Sequence, residues 1–289
     1  MPFRTDLAME SAQPHIDSLP AGITQSEHTV CNLTINTVEI TSDDAAKLIG
    51  KPCGKFITII TPPFHTGQDA DSGDIEAIAK EIAAFLPQSG LVLIVGLGNN
   101  DITPDAIGPR TAHGIIATRH ISGEAAVSMG FEDLRPVAAV APGVLGQTGI
   151  ETSEIISSIV HDIKPAAVIV IDALAAGDMS RLGNTVQISN TGISPGSGVK
   201  NHRRELSENT LGVPVISVGI PTVVDALTVA SALLGEDESK LSSLKSANNM
   251  MITPREIDVL ISRACKTLAQ AINRAVQPAL SLEEINYLA

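Results

Sequence analysis

The stretch Ala167-Val168-Ile169-Val170-Ile171-Asp172 decides the fold. Apart from Ala167, every apolar residue in it is β-branched, and no polar residue interrupts the run. Such a run reads as a strand buried on both faces, since a strand with one wet face alternates apolar and polar residues. Asp172 follows directly. A carboxylate there must emerge at the edge of the sheet or carry a heavy desolvation cost, which weighs for chemistry at Asp172 over a structural role.

Similar runs lie on either side, at Phe56 to Ile60, Leu91 to Val95, Val137 to Val140 and Val213 to Val218. Helical patterns separate them. From Asp74 to Leu86, Ile75, Ile78, Ile82 and Phe85 recur at helical spacing, with Asp74 as the expected cap. Near the C-terminus Thr253 reads as a cap, Pro254 as the first helical residue and Glu256 as the capping-box partner. Ile257, Leu260, Ile261, Leu268 and Ile272 then share one face. Alternating strands and helices imply right-handed crossovers, so the expected architecture is a three-layer α/β/α sandwich with a mainly parallel sheet. Gly235 to Asn249 is polar and without apolar period, an expected exposed excursion.

Composition removes several function classes. The chain has 289 residues, 44% of them hydrophobic, enough for one large α/β core. A formal charge of −13 with no basic cluster larger than Lys200 to Arg204 argues against direct nucleic-acid binding. Aromatics are only 2% of the chain, which leaves no stacking platform for bases or sugars. No window approaches the length of a membrane span, and MPFRTDLAMES lacks the apolar core of a signal peptide, so a cytoplasmic protein is expected. Cys31, Cys53 and Cys265 are scattered and not in metal-ligand spacing; each is expected to be a small buried hydrophobe.

In open α/β sheets reacting groups gather at the carboxyl ends of strands. Two aspartates fall there: Asp172, and Asp105 in the loop that follows Leu91 to Val95. Asp105 reads equally well as a first-turn carboxylate favouring a helix dipole. If the two meet, they would share a proton and supply an acid and a base, activating water directly or through a divalent metal. Gly96-Leu97-Gly98 superficially matches a dinucleotide loop, but Asp101 stands where the third glycine belongs and would repel phosphate. Gly196, Ser197 and Gly198 form a loop whose amides could cradle a substrate or an oxyanion, or simply make a turn. Ser197 lacks a nucleophile elbow and a partner histidine in recognisable context.

Taken in order, several segments resemble the germination proteases of spore-forming Firmicutes. They are Val95 to Asn99, Thr103-Pro104-Asp105-Ala106-Ile107-Gly108-Pro109, Thr118-Arg119-His120, Ala141-Pro142-Gly143-Val144 and Thr148 to Thr152. Ile171-Asp172-Ala173-Leu174, Pro195 to Val199 and Gly219 to Ala226 complete the series. The resemblance implies an endopeptidase that degrades small acid-soluble spore proteins, with Asp105 and Asp172 as its essential aspartates. It also implies a fold similar to hydrogenase-maturation endopeptidases, whose acidic residues sense nickel, a tetrameric assembly, and a zymogen that sheds an N-terminal segment. Arg4-Thr5-Asp6-Leu7-Ala8-Met9-Glu10 resembles the family's cleavage signal. The cut is expected between Asp6 and Leu7, leaving residues 1–6 as propeptide and 7–289 as a single peptidase domain. Asn100, Ser194, Lys200 and His202 depart from the family pattern.

Overall fold

The computed structural model describes residues 5–13, 19–66, 69–121, 124–129, 131, 133–194, 204–234 and 250–289. The chain begins with α1 (Ala8–Ala12), the hairpin β1 (Ile23–Val30) and β2 (Leu33–Ile40), α2 (Asp43–Ile49), β3 (Gly54–Ile60) and α3 (Ser72–Ala83). Then come β4 (Val92–Gly96), a 3-10 turn at Thr103–Asp105, α4 (Ile107–His113), α5 (Glu124–Met129), β5 (Val137–Val140), α6 (Leu145–Thr148) and α7 (Thr152–Ile163). The remainder is β6 (Ala167–Ala176), β7 (Thr185–Ser189), α8 (Glu208–Leu211), β8 (Val215–Asp225), α9 (Ala226–Leu234), β9 (Met251–Ile252), α10 (Ile257–Val276) and α11 (Leu282–Leu288).

The strands form one sheet in the order β1-β2-β3-β7-β8-β6-β4-β5, with β9 paired to β8. Strands β5, β4, β6 and β8 are parallel, as the alternation of strand and helix predicts. Strands β7, β3, β2 and β1 extend this core antiparallel from β8.

Period-two geometry assigns each strand residue to a face. Ala167, Ile169 and Ile171 of β6, and Val92 and Ile94 of β4, pack with α3 and α10 in one cluster. Val168 and Val170, with Leu93 and Val95, pack with Ile156 and Val160 of α7 in another. Both faces of the core strands are therefore covered, which is why their sequences are continuously apolar. On the antiparallel side, Ile57 and Ile59 of β3 join the first cluster. Phe56 turns the other way and packs beneath α1 and α2 with Ala8, Ala12, Ala45 and Ile49. One face of the sheet thus carries a continuous helix layer, and the opposite face carries two separate patches.

Three local expectations change. Helix α3 is capped by Asp71, whose side chain accepts from Asp74 N at 2.9 Å, because the helix begins earlier than its apolar period. Asp74 is buried in the first turn and accepts from Asn32 N. Helix α10 starts at Ile257 without a side-chain cap, since the Thr253 hydroxyl instead donates to Thr222 O. Cys31 and Cys53 are exposed, and Cys265 alone among the three is buried, because the first two lie in turns at the margin of the sheet. Gly235 to Asn249 lies outside the described residues.

Candidate active site

Both sequence-selected aspartates stand where the parallel core ends. Strand β4 stops at Gly96, opposite Ile171, while β6 runs on to Ala176. Asp172 is thus inside β6 rather than after it, yet it is the first residue of β6 without a β4 neighbour. By the period-two rule it points to the same face as Val168 and Val170. Only 7% of its surface is exposed, and Oδ1 accepts from Ala173 N at 2.9 Å.

The loop after β4 sets Asp105. Leu97 N donates to Ile171 O at 2.8 Å, tying the loop to β6. Gly98 has φ +115°, and a Cβ there would lie 2.0 Å from Asp105 O, so only glycine lets the chain fold back this tightly. Asp105 closes the 3-10 turn, and its Oδ2 accepts from Asn99 N at 2.7 Å. Asn99 is held in turn by Gln147 Nε2, which donates to Asn99 Oδ1 at 2.9 Å. Thr222 of β8 donates to Pro104 O at 2.7 Å, anchoring the turn from the opposite side. Gly108 permits α4 to press against both strands, since a Cβ there would lie 2.1 Å from Leu97 O and 2.5 Å from Ile171 O. The glycines of this region therefore serve backbone packing around a carboxylate, which removes the dinucleotide reading.

Asp105 and Asp172 line one cavity of about 890 Å³, together with Asp6, Lys51, Gln187 and Glu205. It opens on the divided face, between the α7 patch and the α1–α2 patch. Among the described residues no group of three or more His, Cys, Asp or Glu side chains could hold a metal ion. The stretch Gly196 to Gly198 lies outside the described residues, as do Lys200 and His202. Gly192, Ile193 and Ser194 just before that stretch line the cavity. Asn100 is exposed at its position and accepts from Arg110 Nε at 3.4 Å.

The N-terminal segment lies in this cavity's wall. Asp6 N donates to Ala175 O at 2.9 Å, and Ala175 N donates to Asp6 Oδ2 at 2.8 Å. The Asp6 carbonyl accepts from Lys51 Nζ at 2.9 Å and from Gln187 Nε2 at 2.8 Å. Gln187 Oε1 accepts from Ala8 N at 2.8 Å, so one side-chain amide spans Leu7, which is fully buried. Farther along, Glu10 accepts from Gly177 N at 2.8 Å, from Asp178 N at 3.1 Å and from the Thr5 hydroxyl. Burial pushes the Glu10 carboxyl above its ordinary value despite these donors. Burial likewise pushes the Lys51 ammonium down, opposed by the nearby Asp6 and Glu10.

A family model described as germination protease matches residues 5–235, which include the N-terminal segment and both aspartates. The chain belongs to the germination protease family. The germination protease of Clostridium acetobutylicum is 42% identical, with 98% of each chain covered. That of Bacillus velezensis is 35% identical, covering 96% of this chain and 94% of its own. Among solved structures, the NiFe hydrogenase maturation protease HycI of Thermococcus kodakarensis is similar at 16% identity and a TM-score of 0.40, covering 68% of this chain and 98% of that one. As a germination protease family member the chain is a hydrolase, a protease of spore germination. No helix among the described residues is long and apolar enough to cross a membrane.

Lys51 and Gln187 escaped the reading of the sequence. Gln187 is one polar residue in the run Thr185-Val186-Gln187-Ile188-Ser189, and Lys51 follows a helix-ending glycine. Neither position carries a local signal, because their role arises only when β7 and the end of α2 meet a segment from the far N-terminus.

Proposed function

We propose that this chain is an aspartic-type endopeptidase that begins the degradation of small acid-soluble spore proteins in the forespore or spore core. In this reading it is made as a zymogen, cuts itself between Asp6 and Leu7, and works as a tetramer with residues 7–289 as the peptidase. The observation that carries the proposal is the shared cavity. Asp105, Asp172 and the Asp6 end of the N-terminal segment all line it, so two carboxylates and a peptide of substrate-like sequence share one concave site.

Two carboxylates around a single water divide the work of hydrolysis. One takes a proton from the water as its oxygen bonds to the peptide carbonyl carbon. The other, holding a proton, gives it to the departing amine nitrogen. Asn99 N and Ala173 N, which donate to Asp105 and Asp172, fix where each carboxylate points. While uncut, the N-terminal segment occupies part of the wall that an incoming peptide would use, which fits a precursor of low activity.

The test is to hold the purified chain under mildly acidic, dehydrating conditions and follow its mass and its cleavage of a spore-protein peptide. Wild type is expected to lose Met1 to Asp6 and to cut the peptide. Asp105→Asn and Asp172→Asn are each expected to lose at least ~10³-fold in cleavage while keeping their thermal unfolding midpoints within a few degrees. Full activity in both variants, or none in wild type, would overturn the proposal; tight metal binding without peptidase activity would favour a silent binding module.

A further inference from the structure

The Asp6 carbonyl receives more than structure requires. A backbone carbonyl is ordinarily satisfied by one backbone partner, yet this one accepts from two side chains, the Lys51 ammonium at 2.9 Å and the Gln187 amide at 2.8 Å. These donors come from sequence positions far from Asp6 and from each other. Gln187 pairs with Gly219 of β8, and Gly219 pairs with Asp172 of β6, so the three form one row across the sheet. Residues in such a row point to one face, and at Gly219, between Asp172 and Gln187, the absent Cβ makes room for the Leu174 side chain, whose Cγ lies 2.7 Å from where that Cβ would stand. Lys51 reaches in from the opposite patch. It follows Gly50, whose φ of +71° ends α2, and Lys51 N closes that turn onto Ala46 O at 3.2 Å. Its ammonium also donates to Thr5 O at 3.1 Å.

We propose that Lys51 and Gln187 are the donor pair that holds and polarises the carbonyl of the residue before the cleaved bond, first in the chain's own segment and then in its substrates. This rests on the reading that Asp6–Leu7 is the bond cut. When the water oxygen bonds to the Asp6 carbonyl carbon, the carbonyl oxygen gains negative charge. Hydrogen bonds from a cation and an amide then strengthen, and interactions that strengthen in the transition state are those that accelerate the reaction. The water's proton passes to one carboxylate of the pair, the bond from that carbon to Leu7 N breaks, and Leu7 N takes a proton. The products are a carboxyl group on Asp6 and a free amine on Leu7. Docking itself has other supports, because the Asp6 and Glu10 carboxylates accept from Ala175 N and Gly177 N, independently of Lys51 and Gln187.

That independence makes the proposal testable in the full-length chain. Wild type, Lys51→Met, Lys51→Arg and Gln187→Leu are compared for the rate of loss of Met1 to Asp6, for kcat and KM on a spore-protein peptide, and for amide exchange at Ala175 and Gly177. Lys51→Met and Gln187→Leu are each expected to slow cleavage by ~100-fold, the scale of a lost oxyanion donor, through kcat rather than KM. Protection at Ala175 and Gly177 is expected to persist, and Lys51→Arg to recover part of the rate. Wild-type cleavage rates in Lys51→Met and Gln187→Leu, with Asp105→Asn inactive, would sink the donor pair alone. Rates that fall only in step with lost amide protection would reduce both residues to docking aids and equally overturn it. A wild-type chain that never cuts would take down the underlying reading and this assignment together.

Discussion

The two halves of the sheet contribute different things to one cavity. The parallel half, β5, β4, β6 and β8, brings the carboxylates Asp105 and Asp172 on backbone packed closely through contacts between glycines and carbonyls. The antiparallel half and its helices bring Lys51 and Gln187, side chains that grip the Asp6 carbonyl. The contrast is one of placement: the carboxylates are oriented by amides near them in sequence, whereas the grip on the carbonyl is assembled from residues far apart in the chain. The halves meet where β7 pairs with β8 at Gln187–Gly219, Ile188–Val218 and Ser189–Ser217.

Gly108→Ala should break the parallel half most severely. Its Cβ would meet Leu97 O at 2.1 Å and Ile171 O at 2.5 Å, and neither is the movable end of a side chain. Either α4 lifts from the sheet or the β4 loop shifts, and both move Asp105. A loss of ~3 kcal/mol or more in unfolding free energy is expected, with peptidase activity falling further than stability alone explains. Denaturant titration beside a peptide assay checks it; wild-type stability would show that the close packing is slack.

What the sequence disclosed follows the same division. Strands β4, β5, β6 and β8 were legible because burial on both faces leaves continuous apolar runs, and Asp172 stood out as a charge at the end of one. Strand β6 runs on to Ala176, past Ile171 where its β-branched run ends. Ala173 to Ala176 look like the start of a turn or helix until β8 is seen beside them. Strands β1, β2 and β7 went unread for the opposite reason. Residues 23–30 of β1 are largely exposed, and Thr185, Gln187 and Ser189 of β7 are buried polar residues, of which Gln187 and Ser189 line the cavity. The aspartates were thus visible from local pattern, whereas Lys51 and Gln187 acquire meaning only from a contact spanning about the first two thirds of the chain.

A smaller effect is expected at the seam between the halves. Ser189 Oγ and Ser217 Oγ share a buried hydrogen bond of 2.8 Å, and Ser189 Oγ also lies 3.0 Å from Thr191 Oγ1. Ser217→Ala leaves Ser189 with Thr191, so the expected cost is only ~1 kcal/mol. If the halves act as one rigid frame, peptide cleavage should hardly change. A large drop in kcat at unchanged stability would instead reveal that the grip and the carboxylates move relative to each other.

The smallest expected effect is a slope, and it concerns the grip alone. Burial, opposed by hydrogen bonds from Thr5, Gly177 and Asp178, leaves Glu10 with a docked pKa above the ordinary 4.5. A carboxyl raised in this way binds its proton more tightly when docked than when free. Its charged form therefore costs stability above the docked pKa, and that cost disappears as pH falls through that value toward 4.5. Lys51 runs the other way, since its lowered pKa favours docking as pH rises toward its ordinary value. Each charged form is thus held against its burial, and acidification relieves the Glu10 share of that cost. Amide exchange at Ala8, corrected for intrinsic rates, should show protection growing as pH is lowered from neutral in wild type, with that growth reduced in Glu10→Gln. Protection that fails to grow on acidification, equally in both proteins, would remove Glu10 from the groups that govern how the segment is held.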